Sequence, residues 1–124
     1  MGEERRRFIR VGARLLTFVR TQDTGKTVRV LTKDIGGGGI SFVSEEPLEK
    51  DMLVTVEVKL PDREQPIAFL AAVAWSLPVK EATKSYGRSA WEVGVKFVSI
   101  DPKEQALMVQ YAALNALPPA DGDT

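Results

Sequence analysis

The 124-residue sequence contains no cysteine and no histidine. Without cysteine there is no disulfide, thiolate zinc site or cysteine nucleophile. Without histidine the commonest metal ligand, and the side chain that titrates near neutral pH, is also missing. Serine triads, zinc hydrolases and thiol redox enzymes therefore lack their usual residues, and we predict neither catalytic residues nor a metal site. The sequence indicates a protein that is not an enzyme.

Long apolar runs and an excess of one charge are missing as well. No run of about 18 apolar residues could span a membrane, and the charged N-terminus lacks the apolar core of a secretory signal. Seventeen basic residues balance seventeen acidic ones, yet residues 1–20 hold six arginines against two glutamates. This distribution favours one local anion site over a general nucleic-acid coat. We expect a cytoplasmic protein without membrane contact.

Apolar and polar residues alternate through the middle of the chain, which predicts β-strands. The alternation is clearest in residues 52–60, 67–77 and 91–97, and shorter strands are predicted near 13–20, 27–33 and 39–43. Their connections are short, which implies antiparallel pairing because parallel strands need long crossovers. Six antiparallel strands in so short a chain favour a closed barrel, since closure removes exposed sheet edges.

One helix is predicted from about residue 102 to 116, because Asp101 and Glu104 form a capping box ahead of an apolar stripe. The stripe predicted to pack on the sheet is Leu107, Tyr111 and Leu114. The fold class is therefore all-β: a small six-stranded antiparallel β-barrel with one C-terminal α-helix. Residues 1–12 are predicted to form a mobile arginine-rich arm, residues 13–116 the barrel and helix, and residues 117–124 a disordered tail.

Two short segments could bind a ligand. The first holds Arg6-x-x-x-Arg10 just before the first predicted strand, and the second holds Asp34-x-Gly36-x-x-Gly39 between two strands. Each alone is a weak signal, because a basic lead-in can simply be solvated and a glycine run can simply be a flexible hairpin connection. Together they are more specific.

The combination resembles the PilZ domain, a family of bacterial receptors for cyclic di-GMP, whose signature is Arg-x-x-x-Arg followed by Asp/Asn-x-Ser-x-x-Gly. The likeness continues in Gly94-Val95-Lys96-Phe97 and in the helix after Asp101, so it covers nearly the whole chain. Position 36 is Gly where the family usually has Ser. The resemblance implies a six-stranded antiparallel barrel, in agreement with the periodicity.

The resemblance also implies a cyclic di-GMP site, with no other cofactor and no metal. Its candidate residues are Arg5, Arg6, Arg10, Asp34, Gly36 and Gly39. Arg6 and Arg10 would bind the phosphates and the guanine O6 and N7 atoms, and Asp34 would accept from guanine N1–H and N2–H₂. The two glycines would let the backbone approach the rings, and Arg5 could stack against a second ligand molecule.

Three functions follow as hypotheses. The first is a cytoplasmic cyclic di-GMP receptor or adaptor that orders its arginine arm on binding and signals to an unidentified effector protein. The second is a PilZ-like interaction module that no longer binds the ligand, because Gly36 lacks the usual hydroxyl. The third is a small-barrel binder of single-stranded nucleic acid, which the nine aromatic residues disfavour because most fall on core faces. Trp75 and Trp91 are both predicted to be core, with Trp75 the better candidate for a purine contact.

Overall fold

The computed structural model describes residues 10–79 and 90–115. Within those ranges it contains, in chain order, β1 (Arg10–Gly12), β2 (Leu16–Thr21), β3 (Thr27–Gly36), β4 (Gly39–Ser44), β5 (Leu53–Val58), β6 (Ile67–Pro78), β7 (Trp91–Ser99) and α1 (Pro102–Leu114). Every predicted strand is present with its bounds moved by a few residues, and β1 is additional. No helix among the described residues is long and apolar enough to cross a membrane.

Six of the strands form a closed antiparallel barrel. The order of hydrogen-bonded neighbours is β3, β2, β5, β6, β7 and β4, and pairing of β4 with β3 closes the ring. The predicted fold, a small six-stranded antiparallel barrel with one C-terminal helix, is confirmed. Closure leaves β1 as an extra strand, which pairs with β3 alone.

Strands β1 and β2 follow each other along the same edge of β3. The pairing register shifts by one residue between them, and the side chain of Thr32 bonds to the backbone at that point. Its Oγ1 accepts a hydrogen bond from the Leu15 amide at 2.8 Å and donates to the carbonyl oxygen of Ala13. This places residues 10–12, part of the predicted arm, beside the C-terminal end of β3. Residues 1–9 of that arm lie outside the described residues.

The barrel interior holds the side chains that the alternation assigned to it in β5, where Val54, Val56 and Val58 are fully buried. In β6 the predicted alternation of core-facing residues holds only from Ile67 to Val73. A register shift between Val73 and Trp75 inserts one extra residue, which reverses the phase of the alternation. Leu77 is consequently exposed, and Trp75 lies outside the core whereas Trp91 packs against it. The prediction that Trp75 belongs to the core is wrong.

Helix α1 begins as predicted but packs through a face that shares only Tyr111 with the predicted stripe. The Asp101 carboxylate accepts from the Lys103 amide at 2.9 Å, which confirms the N-cap. Met108 and Ala112 are fully buried, whereas Leu107 and Leu114 are 46% and 77% exposed. Both stripes have helical spacing, so the rotation of α1 about its axis is set by its contacts with β1, β3 and β6.

The C-terminal end of α1 also differs slightly from the prediction. The helix ends at Leu114, two residues before the predicted end, and Asn115 caps it through backbone hydrogen bonds to the carbonyls of Tyr111 and Ala112. The tail predicted to be disordered, residues 117–124, lies outside the described residues.

Candidate functional site

The β3–β4 hairpin brings the side chains of Asp34 and Ser41 together on the face of the sheet that points away from the core, where Asp34 is half-buried and Ser41 is fully buried. Ile35 lies opposite Ile40 in the core, so their neighbours Asp34 and Ser41, which lie opposite each other, are on the outer face. Ser41 Oγ donates to Asp34 Oδ2 at 3.1 Å. This bond orients the half-buried carboxylate and leaves Oδ1 without a hydrogen bond to the described residues. The sequence analysis missed Ser41, because four consecutive glycines leave the position of the turn, and so the partner of Asp34, open.

Strand β1 brings the first predicted motif against the second. Arg10 is the Cα partner of Gly36, and Gly12 is the Cα partner of Asp34. Residues 22 to 26 positions apart in the chain therefore become neighbours in the sheet. Four of the six predicted site residues, Arg10, Asp34, Gly36 and Gly39, lie at this end of the β3–β4 hairpin. Arg5 and Arg6 lie outside the described residues.

Gly39 is required by the fold itself. It lies opposite Lys96 on β7, and a Cβ at position 39 would come within 2.0 Å of the Val95 carbonyl oxygen. No side chain fits there unless one backbone moves. The sequence analysis attributed this glycine to close approach of the ligand, and the structure supplies a second reason, the close approach of β4 to β7.

The indole of Trp75 lies on the outer face, directly over Gly94. A Cβ at Gly94 would lie 2.3 to 2.5 Å from three atoms of that indole, so the ring occupies the space that a side chain would take. Gly94 pairs with both Trp75 and Ser41. Four paired residues therefore form one row across β3, β4, β7 and β6: Asp34, Ser41, Gly94 and Trp75. The sequence showed no sign of this row, because it depends on the register shift in β6.

The glycine turn between β3 and β4 is held from two sides. The Gln105 side-chain amide, on α1, donates to the Gly37 carbonyl oxygen at 2.5 Å, and the Phe97 amide donates to the Gly38 carbonyl oxygen at 3.0 Å. A run of four glycines would otherwise lose much conformational freedom on ordering. These two contacts fix the turn in the folded protein, so the surface beside it is preformed.

The surface around the row combines three kinds of chemistry. Asp34 offers a carboxylate acceptor, Trp75, whose indole covers Gly94, an aromatic ring, and Gly36 and Gly39 a stretch of backbone without side chains. Such a surface suits a flat, hydrogen-bonding ring such as a purine base. Among the described residues no group of three or more acidic side chains could hold a metal ion.

Comparisons with known proteins agree with this geometry. The model of the PilZ domain family matches residues 4–114 of the chain. A comparison with curated protein sequences found no match.

Three solved structures are similar in fold. The Bacillus subtilis inhibitor of motility MotI/DgrA has a TM-score of 0.69 and 18% identity, over 87% of this chain and 49% of that one. The PilZ domain of Escherichia coli YcgR, with c-di-GMP, has a TM-score of 0.66 and 16% identity, over 89% and 90%. The complex of MrkH from K. pneumonia with c-di-GMP has a TM-score of 0.66 and 18% identity, over 88% and 50%. The chain thus spans about half the length of MotI/DgrA and MrkH, and these similarities concern the fold.

Proposed function

Because the chain belongs to the PilZ domain family, which its match over residues 4–114 shows, we propose that it is a receptor for cyclic di-GMP. The observation that carries the proposal is the pairing of Arg10 with Gly36. That pairing joins the arginine motif and the aspartate–glycine motif at one place on the barrel surface. YcgR and MrkH have been solved with c-di-GMP on the same fold.

The chemistry of the site matches that of the ligand. Cyclic di-GMP carries two phosphodiester charges and two guanines. The Asp34 carboxylate, oriented by Ser41, would accept from guanine N1–H and N2–H₂ through its two oxygens, of which Oδ1 has no hydrogen bond to the described residues. The Trp75 indole offers a face for base stacking, worth roughly 1–3 kcal/mol. The glycine backbone lets the base lie against the sheet.

The arginines supply the positive charge of the site. Guanidinium groups form paired hydrogen bonds to phosphate oxygens and to guanine O6 and N7. Arg6 and Arg10 would bind the ligand in this way, and Arg5 would stack against a second ligand molecule. Arg10 lies in β1, and Arg5 and Arg6 precede that strand in the sequence. Binding would order the arm across the barrel, and the resulting surface would be recognised by an effector protein in the cytoplasm.

One observation favours a second candidate function. Gly36 stands where the family usually has Ser, so the site lacks a hydroxyl that could bond to the ligand. A PilZ module that retains the barrel but only contacts a partner protein would tolerate this loss. The two functions differ in one measurable property, the affinity for cyclic di-GMP.

Isothermal titration with cyclic di-GMP tests the proposal. The wild-type protein should bind, and Arg10→Ala should weaken binding by about 1.5–3 kcal/mol, the usual value for a charged hydrogen bond. Arg29→Ala is the matched control, because Arg29 is an exposed arginine on β3 outside the site.

Arg5→Ala should reduce the stoichiometry from two ligands per chain to one. No binding of cyclic di-GMP at about 100 µM protein, confirmed by a second method, would favour the module that does not bind the ligand. Binding of a labelled oligonucleotide that cyclic di-GMP does not displace would favour a nucleic-acid binder.

A further inference from the structure

Lys96 lies at the edge of the candidate site, on the outer face of β7. It is the Cα partner of Gly39, and it is two residues from Gly94, on the same face of the strand. Its neighbours in sequence confirm the direction, since Val95 is buried in the core and Lys96 is exposed. Lys96 therefore shares the surface that carries Trp75 and Asp34.

The ammonium of Lys96 has no acidic partner among the described residues. Lys26 and Lys33 are also exposed, yet each forms an ion pair, with Glu46 at 2.8 Å and Glu92 at 2.9 Å. The side chain of Lys96 forms no ion pair or hydrogen bond with the described part of the chain. Its charge is thus available to an anion from solution.

The outer face of the sheet between Lys96 and Arg10 is formed by glycines and carries no side chains. Lys96 on β7 is paired with Gly39 on β4. Continuation of the hairpin register places Gly36 of β3 opposite Gly39, and Gly36 is paired on its other side with Arg10 of β1. Three strand-to-strand steps of about 4.8 Å separate the two cationic residues, roughly 14 Å between their Cα atoms. A flat dianion lying on the glycines would meet one cation at each side.

We propose that Lys96 binds a phosphodiester group of cyclic di-GMP from the side of the site opposite Arg10. This inference rests on the proposed function and adds to it a residue that lies outside both predicted motifs. A lysine suits the role, because its compact ammonium on a flexible stem follows a phosphate without requiring one fixed geometry. The contact would set affinity through charge, and Asp34 and Trp75 would recognise the base.

The test is titration of cyclic di-GMP into wild type, Lys96→Met and Lys96→Arg. Lys59→Met is the control, because Lys59 is an exposed lysine after β5 and its replacement makes the same change of charge. Lys96→Met should lower affinity about tenfold, as loss of a charged hydrogen bond does, whereas Lys59→Met should change it less than twofold. Lys96→Arg should restore most of the affinity.

The salt dependence separates a direct contact from a structural effect. Affinity should fall less steeply with added salt in Lys96→Met than in wild type, because one screened attraction has been removed. Its melting temperature should equal that of wild type. If wild type binds but Lys96→Met matches Lys59→Met in affinity and salt dependence, the inference is wrong and the receptor proposal stands. If wild type does not bind, both are wrong.

Discussion

Replacing Gly39 with Ala tests whether the site glycine serves the fold or the ligand. The added Cβ would lie 2.0 Å from the Val95 carbonyl oxygen and 3.0 Å from the Lys96 Cα. An ordinary carbon–oxygen contact is about 3.3 Å or longer, so the backbones of β4 and β7 must separate by roughly 1 Å. Both obstructing atoms belong to the backbone, so no side-chain rotation relieves the clash.

The expected cost follows from this displacement. Overpacking a well-filled interior costs about 1–3 kcal/mol, and a clash with backbone falls at the upper end of that range, so we expect the free energy of unfolding to fall by about 2–3 kcal/mol. In a domain of this size the melting temperature should fall by about 8–15 °C. Urea denaturation followed by tryptophan fluorescence measures the free energy, and a thermal melt by circular dichroism measures the temperature.

Gly12→Ala is the matched control. Gly12 is also a strand residue beside the site, but a Cβ there would meet only the Lys33 carbonyl oxygen at 3.7 Å, an ordinary contact. Its stability should stay within about 0.5 kcal/mol of wild type. If Gly39→Ala unfolds at the same urea concentration as Gly12→Ala and loses only its affinity for cyclic di-GMP, the structural explanation of Gly39 is refuted.

Three further substitutions test other parts of the structure. Met108→Ala should lower the free energy of unfolding by about 2–5 kcal/mol and Leu107→Ala by less than about 0.5, measured in urea; equal effects would contradict the observed rotation of α1. Gln105→Ala removes the hydrogen bond to the Gly37 carbonyl oxygen, so exchange of the Phe97 amide, which donates to Gly38 of the same turn, should quicken and stability should fall by about 0.5–1.5 kcal/mol; unchanged exchange would show that the turn holds without α1. Gly36→Ser should raise affinity for cyclic di-GMP by about 0.5–1.5 kcal/mol in a calorimetric titration, because position 36 has strand geometry that serine can adopt; lower affinity would show that the hydroxyl does not fit.

Much of the barrel could be predicted because its strands are defined by local alternation. Val54, Val56 and Val58 alternate with polar residues, and a strand with one buried face must show that pattern. The glycine run restricted the hairpin register without fixing it. Four consecutive glycines allow several positions for a two-residue turn, and only the turn at Gly37 and Gly38 pairs Asp34 with Ser41.

The face on which several residues lie was decided by the tertiary structure. One extra residue in β6 reverses the alternation and moves Trp75 from the expected core to the outer surface, over Gly94. Sequence spacing fits two stripes on α1 equally well, and packing against the barrel selected Met108 over Leu107. Neither result follows from residues close in the chain.

The sequence by itself determined the six barrel strands, the helix cap and the two motifs of the candidate site, because each depends on the order of residues within one short segment. The tertiary structure decided what those motifs lie against. Arg10 meets Gly36, and Lys96 meets Gly39, through hydrogen bonds between strands that are far apart in the chain. The registers of those strands minimise the free energy of the whole closed barrel, in which a shift of one residue would turn every side chain of a strand to the opposite face.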